Sequence, residues 1–215
     1  MPMIKETVFK LVVAVSLVLA PARTFLSPLA ETQEVVLVEH NLDLTNRAKN
    51  EYTNEIFVDN ILLSLHHLNS EEKTSVVDWE QINQPFEVSF TLEPGAIFAF
   101  HDTTYPEFSD PAVTMNTEFS RQEGYKVLAG LAGNGVCHLA SLMNLTAQEV
   151  GLEVVAKVKH DFVPIPEMPR ENGTSIRTFD KNQNLYIKNT FEEPVIFSFS
   201  ADKEKVNLKI LAPNN

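Results

Sequence analysis

The chain has 215 residues, with 17 Lys and Arg against 29 Asp and Glu, and a formal net charge of -12 at pH 7. This acidic balance argues against a nucleic-acid partner, because phosphate binding needs clustered Lys and Arg side chains. A hydrophobic fraction of 44% fits a globular protein, and no run of about 18 or more apolar residues predicts a stable membrane span. The length fits one compact domain with an N-terminal extension.

The N-terminus has the features of an export signal. Lys5 and Lys10 flank its start, a mostly apolar run follows Lys10, and Ala20-Pro21-Ala22 places small residues at the spacing of a cleavage site. We therefore predict a signal peptide over residues 1–22 and a protein that is secreted, periplasmic or located in the cell envelope. An uncleaved signal anchor is the alternative, because Pro21 interrupts the small-residue motif, and it would be the chain's only attachment to a membrane.

Residues 23–85 form a predicted N-terminal extension of one strand and one helix. The apolar run over residues 34–40 predicts the strand. Apolar residues at helical spacing predict a helix over residues 46–69, with Thr45 or Asn46 as its N-terminal cap.

Residues 86–211 form the predicted main domain. Strict alternation of apolar and polar residues over 86–92 predicts a half-buried strand, whereas the polar stretch 101–123 shows no period and is predicted to be a long loop. A helical pattern then runs from Cys137 to Val150. We predict an α+β fold in which one main helix packs on an antiparallel sheet. Further strand patterns cover residues 152–160, 174–179, 185–189, 195–199 and 206–211.

The only cysteine, Cys137, stands at the predicted start of this helix, after the glycine-rich segment Gly133-Asn134-Gly135. Free N–H groups and the helix dipole at such a position stabilise a thiolate and lower the cysteine pKa. Glycines also let a substrate approach the backbone closely. We therefore predict that Gly133, Asn134, Gly135 and His138 bind substrate beside a reactive Cys137. The alternative is that Cys137 is a small buried side chain without chemistry.

His160 ends the strand pattern that begins at Leu152, and it lies on the apolar, core-facing side of that strand. A helix of about 13 residues runs roughly 20 Å and the returning strand about 26 Å, so His160 is predicted to lie beside Cys137. A helix-borne Cys followed by a strand-borne His is the order of papain-like and transglutaminase-like thiol enzymes, where the imidazole removes the thiol proton. A core histidine bonded to the backbone is the alternative.

Asn172 is the predicted orienting residue for His160, since a third polar group holds the imidazole of such a pair in place. Asn184 and Asp161 are weaker candidates for the same role. Residues of these types in such positions are more often ordinary turn residues.

We predict no metal ion and no other cofactor. His66 and His67 are adjacent on a predicted helix, so their side chains point about 100° apart and do not easily share an ion. A metal site built from Cys137, His138 and His160 is a minor alternative, because the first two side chains also diverge at a helix start.

An ordered series of motifs in this domain resembles the VanW-like family of bacterial cell-surface proteins. The family's series is a glycine-rich approach to Ile/Val-Cys, a helix ending in Ala/Val-Gly-Leu-Glu-Ile/Val-Val, a strand ending in His, a short Pro-rich loop, a polar turn into Thr and a hydrophobic residue, and an Asn after the next strand. In this sequence the motifs are Gly133-Asn134-Gly135-Val136-Cys137, Val150-Gly151-Leu152-Glu153-Val154-Val155, His160, Pro164-Ile165-Pro166, Asn172-Gly173-Thr174 and Leu185-Tyr186-Ile187-Lys188-Asn189, with Leu92-Glu93-Pro94-Gly95 as the entry turn.

Three positions depart from the family's usual pattern. His138 stands where the family usually has Gln, Asn134 interrupts a run of three glycines, and Arg170-Glu171-Asn172 stands where the family usually has an Arg-Asp pair in the polar turn. The resemblance implies an envelope-associated role linked to glycopeptide-resistance clusters, and it implies no particular activity.

Two functions fit these features. The first is a thiol-dependent hydrolase or acyltransferase acting on an amide or ester of peptidoglycan or another envelope peptide, with Cys137 as nucleophile, His160 as general base and Asn172 as orienting residue. The second is a non-catalytic surface-binding or scaffold module that holds a cell-wall peptide or glycan. A sulfur and an imidazole near hydrogen-bond distance in an open groove favour the enzyme, whereas a sealed cysteine favours the binding module.

Overall fold

The computed structural model describes residues 34–68, 70, 73–115, 118–129 and 131–214. The predicted signal peptide, residues 1–22, lies outside these residues. No helix in the described ranges is long and apolar enough to cross a membrane. The helices are α1 (Glu51–His67), α2 (Trp79–Ile82) and α3 (Val136–Glu149), and the strands are β1 (Glu34–Asp43), β2 (Phe86–Leu92), β3 (Ile97–Ala99), β4 (Val113–Thr114), β5 (Val127–Leu128), β6 (Leu131–Ala132), β7 (Glu153–Val155), β8 (Tyr186–Lys188), β9 (Val195–Ala201) and β10 (Lys205–Pro213).

The first sheet joins the N-terminal strand to the two C-terminal strands. Its order is β1-β10-β9-β2, and every neighbouring pair is antiparallel. Strands β2 and β9 alternate buried and more exposed residues, as their sequence patterns predict. Helix α3 packs against β1 and β10. The predicted strands at 34–40, 86–92, 195–199 and 206–211 are therefore confirmed.

The second sheet has the order β4-β3-β8-β7 and is mixed. Strands β3 and β4 are parallel, whereas β3 with β8 and β8 with β7 are antiparallel. Strands β5 and β6 form a separate two-stranded ribbon. The predicted α+β class is confirmed. The predicted packing of the main-domain helix on an antiparallel sheet is seen where α3 contacts β1 and β10. The prediction of a single sheet is wrong, since the described residues form a second, mixed four-stranded sheet.

Helix α1 begins later than its sequence pattern predicts, because its cap is Asn50. The side-chain oxygen of Asn50 accepts a hydrogen bond from the backbone N–H of Thr53 at 3.1 Å, which satisfies one of the free donors of the first turn. The predicted cap at Thr45 or Asn46 is wrong, since both residues lie in the turn that precedes the helix.

The predicted strand over residues 152–160 is realised only in β7. Its partner β8 spans three residues, so the ladder ends although the alternation in the sequence continues. Beyond β7 the chain pairs with the segment 173–175, where the backbone N–H of His160 donates to the Gly173 carbonyl at 3.0 Å. His160 therefore lies beyond the end of the sheet rather than on a regular strand.

The predicted hairpin is realised in part. Residues 185–189 are confirmed as the location of β8. Residues 174–179 form only an isolated bridge, between Lys159 and Thr174. The backbone N–H of Arg177 still donates to the Gln183 carbonyl at 2.9 Å, which closes the turn between the two segments.

A stack of phenylalanine rings links the two sheets. Phe90 of β2 packs nearly parallel to Phe98 of β3, with ring centroids 5.1 Å apart, and to Phe197 of β9 at 4.8 Å. All three side chains are buried. Because each buried aromatic side chain stabilises the fold by about 1.5–3 kcal/mol, this stack is a central part of the core.

Replacement of Phe197 by Ala is expected to destabilise the protein by about 3–5 kcal/mol, because it removes a fully buried ring and leaves a cavity. The matched control is Phe179→Ala, which changes a ring that is 72% exposed and should alter the free energy of unfolding by no more than about 0.5 kcal/mol. Urea unfolding of both variants measures the difference. Equal losses in the two variants would contradict the assignment of the core.

Candidate functional site

The start of α3 faces a cavity of about 500 Å³, a size that suits a small ligand or part of a polymer. Its walls come from segments far apart in the sequence, including α1, α3 and the turn between Thr174 and Gln183. The lining residues are Phe57, Glu118, Phe119, Gly133, Asn134, Gly135, Val136, Cys137, His138, His160, Phe162, Ser175, Ile176, Arg177, Thr178 and Gln183.

The glycines before α3 let the chain pack closely on its own neighbours. Gly133 and Gly135 have φ angles of +70° and +101°, which favour glycine. A Cβ atom on Gly135 would lie 2.7 Å from the Phe57 carbonyl oxygen, and one on Gly133 would lie 2.8 Å from the Phe119 Cβ. Both predicted substrate-binding glycines therefore line the cavity, and their close backbone contacts are with α1 and Phe119.

Asn134, the third predicted substrate-binding residue of this segment, also lines the cavity. Its carbonyl oxygen accepts a hydrogen bond from the Asn60 side chain at 2.9 Å, and its side-chain oxygen accepts one from the Leu128 backbone at 3.3 Å. Asn60 also donates to the Lys126 carbonyl at 3.0 Å. These bonds connect the approach to α3 with α1 and with strand β5.

The thiol of Cys137 is bonded to the backbone of Ile176. Its sulfur accepts the Ile176 N–H at 3.3 Å and donates to the Ile176 carbonyl at 3.7 Å. Burial raises the pKa of the thiol to about 11, so the predicted lowering of this pKa is wrong. The physical reason is desolvation of the thiolate, which outweighs the backbone N–H groups of Ile176 and Cys137 that lower the pKa.

His160 lines the same cavity as Cys137, and no hydrogen bond joins the two residues, both of which the structure describes. Burial lowers the pKa of His160, so the ring is neutral at pH 7. Its Nδ1 lies 3.0 Å from the Val163 carbonyl oxygen. Since a carbonyl only accepts, the proton is on Nδ1 and the Nε2 lone pair is available. Phe162 packs on this imidazole with ring centroids 4.1 Å apart.

His138 forms the inner wall of the cavity and is only 5% exposed. Its ring meets those of Phe57 and His160 edge to face, with centroids 5.5 Å and 5.8 Å away. Burial, the nearby charge of Arg47 and the charge of His160 lower the pKa of His138 to about 3. Its buried Nδ1 has no hydrogen-bond partner among the described residues. The cavity thus holds two neutral imidazoles in contact.

Asn172 does not orient His160 in this structure. Its side chain donates to the Gln148 side chain at 3.0 Å, and its carbonyl accepts from Asn144 at 3.0 Å. Gln148 follows Cys137 by eleven positions on α3, which corresponds to about 16 Å along the helix. The short 3₁₀ turn that carries Asn172 therefore packs near the far end of α3.

The two weaker candidates are also absent from the imidazole's hydrogen bonds. Asn184 is buried and bonds to the backbone of His101 and Thr103. Asp161 is exposed and acts on His160 only through its charge, which raises the pKa of the imidazole less than burial lowers it. The group that holds His160 is the Val163 carbonyl.

The side chains around the cavity do not form a metal site. Within the described ranges, no group of three or more His, Cys, Asp and Glu side chains is arranged to hold a metal ion. This includes Cys137, His138 and His160, the minor alternative raised by the sequence.

Several cavity residues carried no signal in the sequence. Arg177 lies in a segment predicted as a strand, Glu118 in a predicted loop and Phe162 beside a Pro-rich stretch. All three are exposed and line the cavity. They meet only through tertiary folding, so no local spacing could identify them as neighbours.

Taken together, the fold and the cavity define an α+β domain with a ligand-sized opening at a helix start. Residues 88–211 match the family model described as VanW like protein, and the match spans more than half of the chain. The chain belongs to the VanW-like family, and the resemblance in its motifs is thereby confirmed. No curated protein and no solved structure matches the chain.

Alkylation of Cys137 by iodoacetamide is expected to be slow in the folded protein at pH 8, with a rate that rises only as the pH approaches 11, because the thiolate is the reacting form. His160→Ala should leave this profile unchanged. The chain unfolded in urea provides the control, with an ordinary thiol pKa of about 8.5. Fast labelling of the folded protein at a pH below the ordinary thiol pKa, lost in His160→Ala, would instead indicate an activated thiol-imidazole pair.

The buried His138 is expected to make the fold sensitive to acid. Its folded pKa of about 3 lies below the ordinary value of 6.5, so its contribution to stability is complete above pH 6.5 and falls as the pH drops toward 3. The loss is about 1.4 kcal/mol per pH unit. Wild type should therefore lose about 2 kcal/mol more than His138→Gln between pH 7 and pH 5.

Urea unfolding at the two pH values measures this difference. His67, whose folded pKa is lowered to about 4 mainly by burial, remains in both proteins and supplies the shared part of the slope. Identical pH slopes in wild type and His138→Gln would show that His138 takes up a proton as readily in the folded chain as in the unfolded one.

Proposed function

We propose that this VanW-like protein is exported to the cell envelope and binds a cell-wall peptide or glycan non-covalently in the cavity at the start of α3. Family membership supports the association with the envelope, and the signal-like N-terminus supports export. The observation that carries the proposal is the state of Cys137. Its thiol lines the cavity, bonds to the Ile176 backbone and has a raised pKa, which suits a wall residue better than a nucleophile.

The chemistry of the cavity fits a ligand with both apolar and polar groups. Phe57, Phe119 and Phe162 supply aromatic surface, which contributes most of the binding energy in sites of this kind. The neutral imidazoles of His138 and His160 offer acceptors that amide or hydroxyl groups can use. An extended backbone or sugar chain presents both kinds of group.

A thiol-dependent hydrolase or acyltransferase is the second candidate, because Cys137 and His160 line one cavity. The neutral His160 has its Nε2 lone pair available as a base, and the Val163 carbonyl holds Nδ1 in the role that Asn172 was predicted to have. Catalysis would require the thiol to leave the Ile176 backbone and approach His160. The pH profile of alkylation separates this candidate from the binding module.

Obstruction of the cavity tests the proposed function. Thr178 is half-buried and lines the cavity, so Thr178→Trp should place a large ring in it and reduce cosedimentation with purified peptidoglycan at least tenfold. Thr104 is also half-buried and lies in the segment before Tyr105, outside the cavity lining. Thr104→Trp is therefore the matched control and should bind as wild type does.

The same assay separates the two candidates. Release of soluble fragments by wild type, absent from Cys137→Ala, would favour the hydrolase. Equal cosedimentation of Thr178→Trp and wild type, or failure of the wild-type protein to cosediment, would contradict the binding proposal. Circular dichroism of both Trp variants confirms that a loss of binding does not reflect a loss of fold.

A further inference from the structure

We infer that the cavity selects a zwitterionic peptide, with the ligand's carboxylate at Arg177 and its ammonium group at Glu118. This inference rests on the proposed function and decides between the two ligand classes that the proposal allows. It starts from the charges in the wall. Among the lining residues that the structure describes, Arg177 is the one permanent cation and Glu118 is the one carboxylate.

Both charged groups are free to meet a ligand. Arg177 and Glu118 are exposed, and the ion pairs of the described residues do not include either of them. Asp180 is the acidic residue that responds to the charge of Arg177, yet Asp180 is itself partly exposed and bonds to Asn182. A guanidinium matches a carboxylate in shape and can bind it through two hydrogen bonds.

The two charges come from different segments of the chain that line one cavity. Arg177 stands in the turn between Thr174 and Gln183, and Glu118 directly precedes Phe119. Phe119 and Phe57 belong to the apolar part of the lining. A ligand that satisfies this arrangement needs an anionic group, a cationic group and apolar or amide groups between them. A short peptide with free termini has all of these.

A glycan strand freed of peptide would use this wall less fully, because it carries no ammonium group. Its hydroxyl groups can bond to the imidazoles and the lactyl carboxylates of its muramic acid units can meet Arg177, but Glu118 is left without a counter-charge. Apart from the two imidazoles, the aromatic rings of the described lining all belong to Phe, so these rings carry no N–H or O–H group for sugar hydroxyls. Exposed charges also contribute more to the choice of partner than to total affinity. Arg177 and Glu118 should therefore make the cavity select ligands by their charge.

The experiment measures binding of the peptide and glycan components of peptidoglycan separately. Digestion of purified peptidoglycan with an amidase releases peptides with free termini and leaves glycan strands without peptide. Calorimetry should show binding of the peptides by the wild-type protein and at least tenfold weaker binding of the glycan strands. Acetylation of the peptide amines, or amidation of the peptide carboxylates, should each weaken binding about five- to tenfold.

Two variants assign each charge to its partner. Arg177→Gln should weaken binding of the unmodified peptides about five- to tenfold and should be insensitive to amidation of the carboxylates. Glu118→Gln should show the corresponding insensitivity to acetylation of the amines. Arg121→Gln and Glu107→Gln change exposed charges outside the cavity and should bind all peptide forms as wild type does.

The outcomes distinguish this inference from the proposal on which it rests. Binding of glycan strands that is lost in Thr178→Trp would support the proposed function and overturn the zwitterionic ligand. Peptide binding that is unaffected by modification of either terminus would overturn it as well. Failure of both peptides and glycan strands to bind would overturn both conclusions.

Discussion

The cavity depends on the close contact between Gly135 and the backbone of Phe57. The two segments approach so closely that any Cβ at position 135 would lie 2.7 Å from a carbonyl oxygen, a distance that real Cβ atoms do not show. This contact places the first turn of α3 directly against α1. It therefore fixes where Cys137 and His138 enter the cavity. Gly95 differs, because it also has a positive φ but a Cβ atom there would meet no other atom within 4 Å, so it serves the local turn alone.

The same packing explains why a cysteine at a helix start is not activated. A helix N-terminus lowers a thiol pKa only when its N–H groups and dipole act on the sulfur without a large cost of desolvation. Here the N–H groups of Val136 and His138 donate to Gly133 and Gly135, and the sulfur bonds to a backbone amide in the wall. Position in the helix is visible in a sequence, whereas the balance between dipole and desolvation depends on the tertiary neighbours.

Sequence periodicity predicted the elements whose partners run along their full length. Strand β2 and the helix that follows Gly135 agree with their patterns because each buries one continuous face. The pattern that ends at His160 failed because its partner β8 is too short to continue the ladder. The alternation of apolar and polar residues shows which side of a strand is apolar. It carries no information on the length of the neighbouring strand that must pair with it.

The candidate site was predicted in part for a related reason. Cys137, His138 and His160 do share one cavity, since the helix and the returning segment have comparable lengths. Asn172 was placed wrongly, because a turn residue near His160 in sequence packs against the other end of α3 through Gln148. Matching element lengths therefore placed His160 in one cavity with Cys137, whereas proximity along the chain misidentified the group that holds its imidazole.

The N-terminal region takes part in the cavity although the family match covers only residues 88–211. Phe57 of α1 forms part of the wall. Arg47, whose side chain is fully buried, bonds to Glu167 at 3.3 Å and so ties the loop after His160 to the segment before α1. A buried guanidinium is costly unless it is paired, and the carboxylate of Glu167 pairs with this one. The backbone of Glu167 has a φ of +68°, in the left-handed region. Helix α1 is thus a structural component of the site rather than an appendage.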